Sequence, residues 1–105
     1  MRRGEVWWAE LPQPAGRRPV VLLSRDAAYK VRTSVTVGLI TRTMRAIPVE
    51  APLSTKDGMS QQCVANLDDI LTIPKTRLVE RITTLSSQKM SAIGKAIFFA
   101  LDLKP

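Results

Sequence analysis

No histidine occurs anywhere in the 105 residues. That absence removes the side chain most used for proton transfer near neutral pH, and with it paired-imidazole ribonuclease chemistry, His-dependent catalytic triads and His-rich metal sites. Cysteine occurs once, at Cys63, which excludes an internal disulfide and a cysteine-rich zinc site; its setting, Gln62-Cys63-Val64-Ala65, reads as a packed strand position. Five glycines are scattered at 4, 16, 38, 58 and 94, so no Gly-rich phosphate loop is present. The one acidic pair is Asp68-Asp69. Neighbouring side chains of a strand point to opposite faces, a poor start for a two-metal site that needs converging carboxylates. Neither a metal nor an organic cofactor is expected. No window approaches the roughly 18 to 20 apolar residues of a membrane span. Arg2 and Arg3 are followed by an apolar stretch broken by Glu5 and Glu10, without a small-residue cleavage site, unlike a signal peptide. The expected location is the cytoplasm, away from any membrane.

What is present is apolar content of 45%, enough for one core and one domain over residues 1–105. Strand signals cover Glu5 to Ala9, Pro19 to Ser24, Ser34 to Thr41, Ile47 to Ala51, Gln62 to Asn66, Ile70 to Ile73 and Leu78 to Leu85. Val20-Val21-Leu22-Leu23 is apolar at every position, as for a central strand covered on both faces, whereas Val35, Val37 and Leu39 alternate with Thr36 and Gly38. Pro12, Pro14, Gly16, Pro48, Pro52, Asp57-Gly58 and Pro74 read as turns or strand ends. Near the end the period changes: Met90, Ile93, Ile97 and Leu101, with Phe98 alongside, recur at helical spacing behind Ser86 or Ser87 as N-cap. Short strands without helical crossovers, closed by one helix, predict a mainly β fold, a small antiparallel barrel with a C-terminal α-helix. The helix has apolar residues beyond one face, Phe99 and Leu103 among them, enough to serve a partner as well as the core.

Charge is unevenly placed. The net charge is +7, and residues 1–45 hold nine basic side chains against three acidic ones, a local net of +6 that leaves +1 for the rest. Such a half suits a polyanion, because phosphate contacts release condensed counterions. A basic surface that simply keeps the chain soluble fits the count equally well. If the chain cuts RNA, the chemistry left to it uses the RNA's own 2′-hydroxyl as nucleophile, with Arg, Thr, Asp or backbone groups stabilising and relaying charge. Arginine suits that task, since its guanidinium presents donors in a fork that fits a phosphate bidentately.

Three pieces in fixed order, Arg3-Gly4-Glu5-Val6-Trp7-Trp8, Arg18-Pro19-Val20-Val21-Leu22-Leu23-Ser24 and Leu39-Ile40-Thr41, resemble the MazF/PemK family of toxins. Val64 to Ile73, Arg77-Leu78, Ile82 to Leu85 and the terminal helix extend the resemblance over nearly the whole chain. It implies an SH3-like barrel, usually as a homodimer. It further implies metal-independent, sequence-specific cleavage of single-stranded RNA, messenger RNA with ribosomal or transfer RNA as alternatives, to a cyclic phosphate and a 5′-hydroxyl. The partner it implies besides RNA is an antitoxin with an acidic, partly disordered segment. By position, Arg18 and Thr41 match the family's catalytic arginine and threonine; their plain alternatives are a solvated strand entry and an ordinary strand end. Asp68 falls where some members carry an acidic residue implicated in catalysis or base contacts, flanked by Asn66 and Asp69, although an exposed acidic turn is equally consistent. Arg17, Ser24 and Arg25 lie around Arg18 or its strand and are candidates for holding the phosphate backbone. Arg42, Thr43 and Arg45 cluster after Thr41 and offer further phosphate contacts. The segment between Leu11 and Arg17 is shorter than in many relatives, where a longer loop closes over the RNA. Trp7 and Trp8 point to opposite faces, so at most one can stack on a base, and packing is the expected use. Two other readings stay open: a CcdB-like toxin on the same fold that binds gyrase without cutting anything, and a basic RNA-binding module without chemistry.

Overall fold

The computed structural model describes residues 1–104. Six strands run β1 (Glu5–Glu10), β2 (Arg17–Leu22), β3 (Ser34–Thr41), β4 (Glu50–Leu53), β5 (Cys63–Pro74) and β6 (Leu78–Thr84), with a short helix α1 (Ala28–Val31) and a C-terminal helix α2 (Ser87–Ala100). They form one curled antiparallel sheet in the order β4-β5-β3-β2-β1-β6, the mainly β architecture with a terminal helix that the pattern predicts. Val20, Val21 and Leu22 are fully buried, because β2 lies between β1 and β3 and is covered on both faces.

Two apolar clusters result. One fills the inside of the curl, where Val21, Ile40, Ala65 and Leu67 meet Ile93 and Ala96 of α2. The other covers the outer face, where Val20, Leu22, Val35 and Val37 pack with Leu11 and with Tyr29 of α1. Ser86 caps α2 by accepting the Lys89 amide at 3.1 Å, which settles the choice between the two serines. Ile93 and Ala96 are buried, with Met90 and Ile97 half-buried beside them, whereas Leu101 lies past the helix end and is exposed. The helical stripe is therefore shorter than its spacing suggests.

Three boundaries differ from expectation for identifiable reasons. The expected strands at Gln62–Asn66 and Ile70–Ile73 are one strand, β5, interrupted by a bulge: Leu39 pairs with Asn66 but Gly38 pairs with Ile70, which leaves Leu67, Asp68 and Asp69 unpaired against β3. The bulge drives Leu67 into the core. A Cβ on Gly38 would stand 3.1 Å from Leu67 Cδ1, so glycine makes room for the bulge. Pro52 sits inside β4 rather than ending it, because β4 is an edge strand and one side of its ladder needs no donor. β2 starts at Arg17 and stops at Leu22, shifted toward its N-terminus because pairing with β1 runs as far as Glu10↔Arg17.

Candidate active site

Arg18 stands at the beginning of β2 and Thr41 at the end of β3. The register pairs Val20 with Leu39 and Val21 with Gly38; carried two residues further, it sets Arg18 opposite Thr41, on the same face as Val20 and Leu39. Arg18 Nε donates to the Ala15 carbonyl at 3.1 Å, which orients the guanidinium. Its two terminal nitrogens have no partner among the described residues, so one edge of the fork is open to an anion. Thr41 Oγ1 accepts from the Thr43 amide at 3.2 Å and keeps its own hydrogen to donate. Arg18 and Thr41 line both of two adjoining cavities, of about 710 and 390 Å³, and so stand on the ridge between them.

The larger cavity opens toward the inner end of the curl, over Ile40, Cys63 and Ile82. Trp8 forms part of its wall, with the Arg17 guanidinium 5.1 Å from the indole centroid. Arg17 also lies 4.0 Å from Glu10 and 3.9 Å from Glu80, but these pairs are solvent-exposed and hold it weakly. Trp7, by contrast, packs on the outer cluster and donates Nε1 to Glu5 at 2.9 Å. Burial pushes the Cys63 thiol pKa up, with Asp57 adding to the effect, so Cys63 is a packing group on the cavity floor. The opposite wall is the turn around Gly58. Ser54 and Asp57 cap it reciprocally, and Lys89 of α2 ties it down through the Pro52 carbonyl at 2.8 Å. Gly58 has φ +94°, and a Cβ there would overlap Thr83 Oγ1.

The smaller cavity lies on the outer face, between Arg18, Thr43 and Arg45 on one side and Asn66 and Asp69 on the other, with Leu39 beneath. Glu50 shapes its cationic side. One carboxylate oxygen accepts the amides of Arg45 at 2.8 Å and Ala46 at 3.0 Å, holding a turn in which Ala46 has φ +54°. Asn66, only 6% exposed, donates Nδ2 to Asp69 at 3.3 Å and accepts the Asp68 amide at 3.0 Å. The side chains are thus locked by the bulge itself.

The candidates from sequence divide clearly. Arg17, Arg18, Thr41, Asn66 and Asp69, with Arg42, Thr43 and Arg45, line the two cavities. Ser24 and Arg25 do not: they follow the other end of β2, where Ser24 Oγ accepts the Thr36 amide at 2.8 Å. Asp68 is exposed and lines neither cavity, because the bulge turns it away from the side to which Asp69 contributes. Sequence reasoning missed Glu50 and the wall at 58–61. The Asp57-Gly58 turn signal was visible, but what the turn faces depends on the curl of the sheet. Among the described residues no group of three His, Cys, Asp or Glu side chains is placed to hold a metal ion, and no helix is long and apolar enough to cross a membrane.

Fold and site together define a small basic β-protein with a cleft lined by arginine and threonine side chains. Residues 2–101 match the family described as PemK-like, MazF-like toxin of type II toxin-antitoxin system. The chain is 39% identical to the Mycobacterium tuberculosis protein named "Probable endoribonuclease MazF5", over 95% of this chain and 92% of the relative. It is 36% identical to "Endoribonuclease MazF" of Staphylococcus saprophyticus, over 98% and 92%. Among solved structures, "Mycobacterium tuberculosis toxin MazF-mt6" superposes with a TM-score of 0.89 at 33% identity, covering 96% of this chain and 99% of that one. "Endoribonuclease in complex with its cognate antitoxin from Mycobacterial species" gives 0.90 at 27% identity, covering 100% and 98%. The chain belongs to the PemK-like, MazF-like toxins of type II toxin-antitoxin systems. Its activity class is endoribonuclease.

Proposed function

We propose that this toxin cuts single-stranded RNA at short specific sequences, without a metal, by transesterification at the ridge between the two cavities. The observation that carries this reading is the pairing of Arg18 and Thr41 on that ridge, with an open guanidinium edge beside a hydroxyl that still has a proton to give. A strand passing from one cavity to the other brings one phosphate to both. The 2′-oxygen of the preceding nucleotide attacks phosphorus and loses its proton as the bond to the 5′-oxygen breaks. The products are a 2′,3′-cyclic phosphate and a 5′-hydroxyl that takes up a proton. Arg18 holds the extra charge of the pentacoordinate phosphorus through its fork, and Thr41 hydrogen-bonds the phosphate or relays a proton. Arg17, Arg42 and Arg45 add phosphate contacts on either side of the ridge. Messenger RNA is the primary target class in this reading, with ribosomal and transfer RNA as the alternatives.

In the same reading the toxin acts as a cytoplasmic homodimer and is silenced by an antitoxin. A mycobacterial endoribonuclease of 27% identity has been solved with its cognate antitoxin. An acidic, partly disordered antitoxin segment suits the +7 charge of this chain and folds as it binds. The test is incubation of the pure protein with a long RNA of diverse sequence in EDTA, followed by mapping of fragment ends. Discrete cuts with 5′-hydroxyl ends are expected, and Arg18→Ala should slow them roughly 100-fold or more while keeping the circular dichroism of the parent. Intact RNA from the folded wild-type protein would reject the nuclease reading and direct the next assay to gyrase.

A further inference from the structure

The net charge of this molecule does not lie at the ridge. The four arginines that line the two cavities, Arg17, Arg18, Arg42 and Arg45, stand among four carboxylates. Glu10 and Glu80 lie 4.0 and 3.9 Å from Arg17, Glu50 accepts the Arg45 amide, and Asp69 lines the smaller cavity. Opposite charges in equal number let the cleft grip a phosphate at close range but exert little net pull on a polyanion at a distance. The +7 of the chain therefore resides elsewhere, and a concentrated part of it surrounds α1. Lys30 and Arg32 stand on α1 and at its C-terminal end, Lys75 and Arg77 on the single helical turn that follows β5. The ladder brings these segments together. Ser34 pairs with Pro74, the Lys75 amide donates to the Thr33 carbonyl at 2.9 Å, and Lys75 Nζ donates to the Tyr29 and Arg32 carbonyls at 2.6 and 3.0 Å. Lys30, Arg32 and Arg77 are exposed. None of the four cations is in an ion pair among the described residues, whereas Arg17, Arg81 and Lys89 each are. The acidic residue next to α1 in sequence, Asp26, accepts the Arg3 amide at 2.7 Å and pairs with none of the four.

We infer that this end is a second, sequence-independent RNA-contact surface, on which Lys30, Arg32, Lys75 and Arg77 hold the phosphate backbone of the substrate several nucleotides away from the cut. The inference rests on the cleavage reading above and adds to it a distal anchoring site. Both sites lie on the outer face: Leu39 underlies the smaller cavity, and Tyr29 of α1 packs into the same apolar cluster. β3 connects them, running from Ser34 beside the cations to Thr41 on the ridge, eight residues or roughly 25 Å at about 3.3 Å each. Stacked nucleotides advance roughly 3.4 Å apiece, so about seven of them cover that path. Clustered like charges repel one another, and a row of phosphates relieves the repulsion while releasing its own counterions. Arg32 and Arg77 present guanidinium forks that fit phosphate oxygens, and Lys75, with two N–H groups on carbonyls, keeps a third for an anion. An acidic polypeptide that folds on binding needs apolar pockets as well as charge. In the two segments that carry these cations, the one exposed large apolar side chain is Val31. Backbone phosphates need no such pocket, so the chemistry of the surface favours RNA.

The test replaces the three exposed cations together, Lys30→Gln, Arg32→Gln and Arg77→Gln in one protein, and keeps Lys75 because it ties the two segments to each other. Two RNAs share the mapped cut sequence, one of about six nucleotides, too short to reach α1 from the ridge, and one of about thirty. At about 50 mM salt the triple variant should lose roughly 10-fold in kcat/KM on the long RNA, through KM with kcat unchanged, and stay within about 2-fold of wild type on the short one. On the long RNA the slope of log kcat/KM against log salt should become shallower by about 2, from three lost charges at about 0.7 each. A variant that keeps the charges, Lys30→Arg, Arg32→Lys and Arg77→Lys, should behave as wild type. An equal loss on both RNAs, an unchanged rate and salt slope on the long RNA, or a loss that the charge-keeping variant shares would each overturn the inference and leave the nuclease reading intact. Undiminished cleavage of the long RNA together with weakened binding of polyglutamate would overturn it in favour of an acidic polypeptide. A wild-type protein that cuts no RNA would overturn both readings.

Discussion

The two ends of the β2–β3 pair carry similar side chains and do different things with them. At one end stand Arg18 and Thr41, at the other Arg25, Ser24 and Thr36. Ser24 accepts the Thr36 amide, Asp26 accepts the Arg3 amide at 2.7 Å, Arg3 donates to the Leu23 carbonyl, and Lys75 joins the Tyr29 and Arg32 carbonyls, so the second end is knitted shut. At the first end the Arg18 fork and the Thr41 hydrogen remain available between two cavities. Ser24 and Thr41 each accept one backbone amide, so what separates the two ends is the space beside them: Arg18 and Thr41 line two shared cavities, whereas Ser24 and Arg25 line neither.

Four substitutions sharpen or break this contrast. Thr41→Val keeps the shape but removes the hydroxyl, and RNA cleavage should fall by roughly 10- to 100-fold with unchanged thermal stability; an unaffected rate would make Thr41 a bystander. Gly58→Ala attacks the cavity wall without touching the ridge. A left-handed backbone and overlap with Thr83 should cost about 2 kcal/mol or more in urea melts, and cleavage should weaken as the wall shifts. At the closed end, Ser24→Ala should cost about 1 kcal/mol of stability by orphaning the Thr36 amide, and leave the cleavage rate within about 2-fold of wild type.

At neutral pH the smallest effect is expected from Tyr29→Phe, whose consequence appears only at high pH. Burial pushes the Tyr29 hydroxyl from its ordinary pKa of 10.0 up to about 12, and the neighbouring Ser24 hydroxyl offsets only part of this. The folded state therefore favours the neutral phenol. That contribution is complete below pH 10 and is lost as the pH rises toward 12. Wild type should lose stability between pH 10 and 12 by more than the Phe variant does. Below pH 9 the two proteins should show the same pH dependence, because the phenol is neutral there in both the folded and the unfolded state. Equal pH dependence of melting for the two proteins between pH 10 and 12 would contradict the account.

Much of this arrangement is legible before folding. The continuous apolar run at Val20–Leu23 marks β2 as central, the alternation around Val37 marks β3, and the change of period after Ser86 marks α2. The resemblance singled out Arg18 and Thr41, and both line the same two cavities. What stayed hidden depends on breaks in periodicity or on long-range geometry. The bulge in β5 looks like a gap between two strands, and its effect on Asn66 and Asp69 follows only from pairing with β3. Ser24 and Arg25 lie close to Arg18 in sequence, but an extended strand separates its ends by about 3.3 Å per residue, which carries them to the opposite end. Leu101 continues the helical spacing, yet the helix stops at Ala100 and leaves it in solvent.

The most direct test sets the two ends against each other in one assay: initial rates of RNA cleavage by Arg18→Ala and Arg25→Ala, each checked for native circular dichroism. A loss of roughly 100-fold or more is expected for Arg18→Ala and a change of less than about 3-fold for Arg25→Ala. Comparable losses in both variants, or a larger loss at Arg25, would place the chemistry somewhere other than the ridge between the two cavities.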